Sequence, residues 1–312
     1  MSKISEAWTM TKLSGRVLKK HPFLMGYVAL AALVAGVLVA GILSPVVINA
    51  ASGKAQLLEP YAQFTEIQNG KAVFGKGAKF DRKSIQPHWG TVLPVGIAVS
   101  VAGEFLIIFL NVAFLISVKR ILNGKEVTFK EGLALAWEKR AAVLQWALFS
   151  VTVGFLINLV KSKLDNWLGR RLLGLAEVGW KLAVFLAVPV VAAEGCTPWQ
   201  ALRRSGDLFA KTWGQTIAGD LGIGALQLGA WFVCGILPGA VMFFFGLQHT
   251  GAHYLLSIAG AGWILVSLVP VMLLSESILM VFRMVLYTFA VEGVVPEEYK
   301  EEDCAWFVAQ RG

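Results

Sequence analysis

Between Phe23 and Gly53 the chain carries no Asp, Glu, Lys or Arg, and the same is true from Leu221 to Ser275. A bilayer core about 30 Å thick is crossed by about 20 apolar helical residues. The first stretch therefore fits one span and the second fits two. An ordinary soluble domain is about one quarter charged, whereas this chain is 15% charged and 56% hydrophobic, with mean hydropathy +0.66. A water-soluble fold cannot hide that much apolar surface. Basic residues precede the first apolar run, but a signal-peptide core is only about 7 to 15 residues. Phe23 to Ala50 reads instead as an uncleaved signal anchor.

These features predict an all-α fold, a polytopic membrane bundle of about six transmembrane helices forming a single domain over residues 1–312. The expected spans are 23–50, 91–118, 141–160, 172–193, 217–246 and 262–291. In the fourth, Glu177 and Lys181 stand in the favourable i,i+4 order for a helical ion pair, and Pro189 predicts a kink. The loop 51–90 is the largest polar piece and is expected outside the cytoplasm. Within it, KAVFGKGAKF (71–80) suggests a hairpin turning at Gly75-Lys76-Gly77.

Lys and Arg bias sets orientation. With the N-terminus inside, inner segments carry five such residues in 1–22, six in 118–140, three in 194–216 and three from Arg283 onward, against eleven outside. Both termini are therefore expected in the cytoplasm. The inner segments have helical patterns of their own, at 2–20, 128–140 and 197–213. Thr128-Phe129-Lys130-Glu131 and Thr197-Pro198-Trp199-Gln200 match capping boxes, the second with Pro at the first helical position. The helix after Thr197 puts Leu202, Ser205, Leu208, Phe209, Thr212 and Trp213 on one stripe, suited to the membrane surface or the bundle. Each amphipathic helix precedes a pair of spans, which suggests a threefold repeat of helical hairpins.

The strings EAWTMTKLSGRVLKKHPFL, VGWKLAVFLAVPVVAAEGCTPWQALRRSGDLFAKTWG and FRMVLYTFAVEGVVPEEY resemble an uncharacterised prokaryotic family of six-span membrane proteins, a domain of unknown function. More distantly, the chain is similar to YciC-type inner-membrane proteins and to the membrane domain attached to some glycerophosphodiester phosphodiesterases. The resemblance implies this architecture and a prokaryotic plasma (inner) membrane, and it implies no activity.

Ionisable residues inside spans are costly and are functional candidates. Glu104 falls in the second span, and Glu276 and Arg283 fall in the sixth, seven residues apart and nearly on one helical face. They could line a polar pathway. The plainer reading, favoured here, is that Arg283 neutralises one Glu and pins helices together. Glu194 and Asp220, near span ends, are explained by solvation. His249 and His253 form an H-x-x-x-H pair with His88 on the same side. No carboxylate accompanies the pair in its uncharged loop, so no metal is assigned. Gly235-x-x-x-Gly239 suits close helix approach, either within one chain or between copies in a homo-oligomer.

Cys196, Cys234 and Cys304 show neither pairing nor metal spacing, and no nucleophile or phosphate motif is present. No enzyme activity or cofactor is therefore expected. The net charge of +8 is read as the basic excess of cytoplasmic loops and not as a nucleic-acid footprint. The expected function is a membrane scaffold or accessory subunit that binds partner proteins or organises lipid in the bilayer. The alternative is a channel or transporter for an ion or small solute.

Overall fold

A computed structural model describes residues 3–51, 65–68, 71–74, 89–163, 183–247 and 254–292, with Arg171, Gly174, Gly179 and Trp180. The fold is an all-α helical bundle, and five of the described helical stretches are long and apolar enough to cross a membrane. Helix α1 spans Lys3–Lys20 and α2 Leu24–Ala51, followed by the short antiparallel strands β1 (Thr65–Gln68) and β2 (Lys71–Phe74). Next come α3 (Trp89–Leu122), α4 (Phe129–Glu138), α5 (Arg140–Lys163), α6 (Ala187–Glu194), α7 (Pro198–Trp231), α8 (Leu237–Leu247) and α9 (Tyr254–Glu292). Two compact units result, one of Met1–Ala32 with Phe105–Gly312 and the other Leu33–Glu104.

The hairpin turns earlier than the glycine spacing suggests, with Lys71–Phe74 as its second strand and not its first. Gln68 pairs with Lys71, leaving Asn69-Gly70 between the strands and Gly75 beyond them. Asn-Gly is the dipeptide most suited to a two-residue hairpin loop, so the overlooked signal was Asn-Gly itself. Part of the fourth expected span, including Glu177 and Lys181, lies outside the described residues. Its end is α6, set off by a turn at Phe185–Leu186. Pro189 explains that break, because it cannot donate to the Phe185 carbonyl four residues back and its ring crowds the same oxygen. The freed Leu186 N–H donates to Ser205 Oγ on α7 at 3.2 Å.

Both capping boxes form. Thr128 N–H donates to Glu131 Oε2 at 2.8 Å, and Glu131 N–H returns a bond to Thr128 Oγ1 at 3.3 Å. At α7, Gln200 Oε1 accepts from both Thr197 N–H and Thr197 Oγ1. The bonds from Thr128 hold the Glu131 carboxyl below the usual carboxylate range. A depressed folded-state value means that the cap is intact above the ordinary carboxylate pKa, about 4.3, and weakens as pH falls through the lower folded value. Amide exchange at the first turn of α4 should therefore quicken in acid relative to Glu131→Gln, whose carbonyl still accepts from Thr128. Equal acid response in both chains would refute the coupling.

The amphipathic helix at 197–213 is not a separate surface element. It runs without interruption into the fifth span as α7, because nothing between Trp213 and Ile217 breaks a helix. Leu202, Ser205, Leu208, Phe209 and Thr212 turn inward while Arg203, Arg204 and Asp207 are exposed. The alternative of packing against the bundle is the one realised, with α1 lying against α7 and α9. The three expected repeat units are consequently unlike. Helix α1 is parted from its span by a turn at His21–Phe23, and α4 from α5 by the single residue Lys139, whereas the third pair is fused.

Between α7 and α8 the chain forms a π-helical turn, Phe232–Ile236, in which Leu237 N–H reaches Phe232 O. Pro238 accounts for it, since it leaves the Cys234 carbonyl without its helical donor. Trp263 of α9 supplies the missing bond, its indole donating to Cys234 O at 3.0 Å, and Trp231 donates to Ile264 O at 3.1 Å. Two indoles thus stitch the hairpin across the irregular turn.

Gly235 and Gly239 both face α9 of the same chain. A side chain on Gly239 would strike Ile264 and the Gly260 carbonyl, and one on Gly235 would strike Ser267 and Trp231. The small-residue motif serves packing within one chain.

The core sits at one end of the first unit. Leu13, Val17 and Leu18 of α1 meet Tyr27 of α2, Val112 to Leu115 of α3, Trp146 of α5, Val190 and Val191 of α6, Leu208 of α7 and Val281 to Tyr287 of α9. At the centre, Tyr27 stacks on Phe129 and its hydroxyl donates to Phe129 O at 2.8 Å. Gly132 leaves room there for the Tyr27 hydroxyl and Ser117 Oγ.

Candidate functional site

Four contacts bring distant helix ends to the same end of the bundle. Tyr27 reaches Phe129 O, Lys119 lies 3.8 Å from Glu292, Tyr287 bonds Glu194, and Lys139 bonds the end of α6. Polar side chains from α3, α6, α7 and α9 and from the α4–α5 corner therefore meet in one cluster.

Glu194 is its centre. One carboxylate oxygen, Oε1, accepts from the Tyr287 hydroxyl at 2.9 Å and stands 3.4 Å from Arg204 Nε. Lys119 Nζ lies 5.3 Å from the centre of the Tyr287 ring, within cation–π range. Glu194 is exposed at the end of α6, as solvation of a helix end implies, and it also joins α6, α7 and α9. Its role was hidden in the sequence because its partners lie 10 and 93 residues away. Asp220 has no described side chain.

Lys139 is placed by the corner between α4 and α5. Its amine donates to Ala192 O at 2.5 Å and Ala193 O at 2.8 Å. These are among the carbonyls a helix C-terminus leaves without partners, and a cation there also complements the helix dipole. Gly195 completes the cap in the left-handed region at φ +64°, its N–H bonding Val191 O. Burial, with Lys119 alongside, holds the Lys139 amine below its usual range. Burial and the Glu194 carboxylate push the neighbouring Cys196 thiol up. That is the opposite of the shift an activated cysteine needs.

Deeper along α9, Arg283 and Glu276 face each other, Nη1 to Oε1 at 3.7 Å. The guanidinium also lies 4.7 Å from the centre of the Phe185 ring, beside the break that precedes α6. Arg283 Nε is buried and is the one such side-chain atom among the described residues with no hydrogen-bond partner. The Glu276 side chain is 49% exposed. Glu104 is half-buried on α3 in the Leu33–Glu104 unit, and among the described residues no ion pair reaches it.

His88, His249 and His253 lie outside the described residues. Among the described residues no group of His, Cys, Asp or Glu is arranged to hold a metal ion.

The sequence model of a family of unknown function, DUF6159, matches residues 95–296, more than half of the chain. The chain belongs to this family. The DUF6159 region takes in Glu104, the Glu276–Arg283 pair and the whole Glu194 cluster, whereas α1 and α2 precede it. No curated protein and no solved structure matches the chain.

Proposed function

We propose that this protein is a non-enzymatic scaffold or accessory subunit of the prokaryotic plasma (inner) membrane, holding partner proteins or organising lipid with both termini in the cytoplasm. One observation carries the reading. The polar groups gathered at the basic end are engaged in joining helices, as in the bonds of Glu194 to α7 and α9 and of Lys139 to α6. That end concentrates the positive charge expected on the cytoplasmic side. On this reading the chain shares its architecture, and no activity, with YciC-type proteins and phosphodiesterase membrane domains. Purification from native membranes under mild conditions should yield either a stable hetero-assembly or a homo-oligomer with retained lipid. A bare monomer with neither would refute the reading.

A second reading, a channel or transporter, is favoured by Arg283 Nε, which is buried without a partner, and by the half-exposed Glu276 within a span. Liposomes containing the protein would then pass an ion or small solute at a rate that changes in Glu276→Gln. No flux, or flux indifferent to that substitution, would exclude a path through this pair.

A further inference from the structure

At the junction of α4 and α5, an aromatic ring and a cation stand directly above a lipid-like stripe. Trp137, the penultimate residue of α4, is 55% exposed. Phe109 supports it from one side, edge to face at 6.1 Å, and the Arg140 guanidinium covers it at 5.4 Å. Arg140 opens α5, and its Nη1 donates to Trp137 O at 3.2 Å. Its other N–H donors have no carboxylate partner among the described residues. Below Arg140 at helical spacing come Leu144 and Leu148, both exposed. One face of α5 thus begins with a guanidinium backed by an indole and continues with two exposed leucines, the exposed Thr152 following one turn further on.

We propose that this seam binds an anionic phospholipid, its phosphate on Arg140, its glycerol region against Trp137 and an acyl chain along Leu144 and Leu148. The chemistry is matched at each level. Guanidinium pairs bidentately with phosphate oxygens, Trp prefers the headgroup depth of a bilayer, and leucines suit a hydrocarbon chain. The proposal deepens the lipid-organising reading, and its readout is a bound lipid rather than a partner protein. A missing partner and a missing lipid are therefore separate results.

Native mass spectrometry of the full chain, after mixed micelles containing equal phosphatidylglycerol and phosphatidylcholine, tests it. Wild type should retain phosphatidylglycerol several-fold over phosphatidylcholine. Arg140→Gln should lose most of that preference, Arg140→Lys should keep part of it, and Lys125→Gln, an exposed charge off the seam, should match wild type. Excess soluble glycerol phosphate should not displace the lipid, because the acyl chain contributes to binding. Size-exclusion profiles show whether each variant is folded. Equal retention in Arg140→Gln and wild type, or displacement by glycerol phosphate, would overturn the assignment. An equal loss in Lys125→Gln would overturn it too, by reducing the effect to general positive charge.

Discussion

Gly260→Val is expected to destabilise the α8–α9 hairpin by about 2 to 3 kcal/mol, in the upper part of the range for overpacking a tight contact. A β-carbon at residue 260 would stand 2.5 Å from the Gly239 carbonyl oxygen and 2.7 Å from the Phe243 nitrogen. Both are backbone atoms, so no rotamer change relieves the clash and the helices must separate. Separation would also stretch the Trp231 and Trp263 bonds, leaving the Cys234 carbonyl bare because Pro238 has no N–H to offer. Gly260→Ala should show much of the loss, since the first added carbon is the one that collides. Reversible unfolding in mixed micelles gives the measurement. A stability within 0.5 kcal/mol of wild type, the size of an ordinary surface substitution, would mean that the helices do not cross at these glycines.

Lys139→Met is expected to cost about 2 to 3 kcal/mol, the scale of a charge-assisted hydrogen bond with its acceptors left unsatisfied. Methionine keeps much of the apolar stem while removing both donors to Ala192 and Ala193. The end of α6 should fray, and with it the link that carries Cys196. In a chain whose Cys234 and Cys304 are Ser, maleimide should label Cys196 several-fold faster after the substitution, because burial is the largest cause holding the thiol up and its loss outweighs the loss of the Lys139 cation, which by itself favours the thiolate. Lys139→Arg should restore part of the protection. Unchanged labelling together with unchanged stability would show that the cap holds nothing.

Arg283 and Glu276 could be paired from sequence because both belong to one helix, and seven residues make two nearly whole turns. The capping boxes were legible for the same reason, each being complete within four residues. The inward stripe of α7 was also visible. Its continuity with the fifth span was not, since periodicity shows which face is apolar and says less about whether a helix bends where that face ends. Glu194 shows the limit more sharply. Its spacing to Arg204 carries no helical signal across the Gly195–Thr197 link, and Tyr287 is in another helix altogether. Gly235-x-x-x-Gly239 stood between the two, for the motif marks a close approach without naming what approaches. Gly260, Ile264 and Ser267 give the answer.

That this chain is built of membrane-length helices follows from its residues alone, because charge-free runs of sufficient length leave a bilayer as the only favourable solvent. The residues also set where several helices begin, through Thr128, Thr197 and Pro198, whose bonding choices are local. Packing alone reveals that the helix ends near residues 24, 122, 139, 194 and 292 converge, and that a lysine at a corner caps a helix more than 50 residues away. Apolar runs, helical periodicity and capping boxes involve residues within a few positions of one another, so they are legible along the chain. A salt bridge, a cross-helix cap or a glycine contact needs two distant segments, and its energy exists only once packing has brought them together.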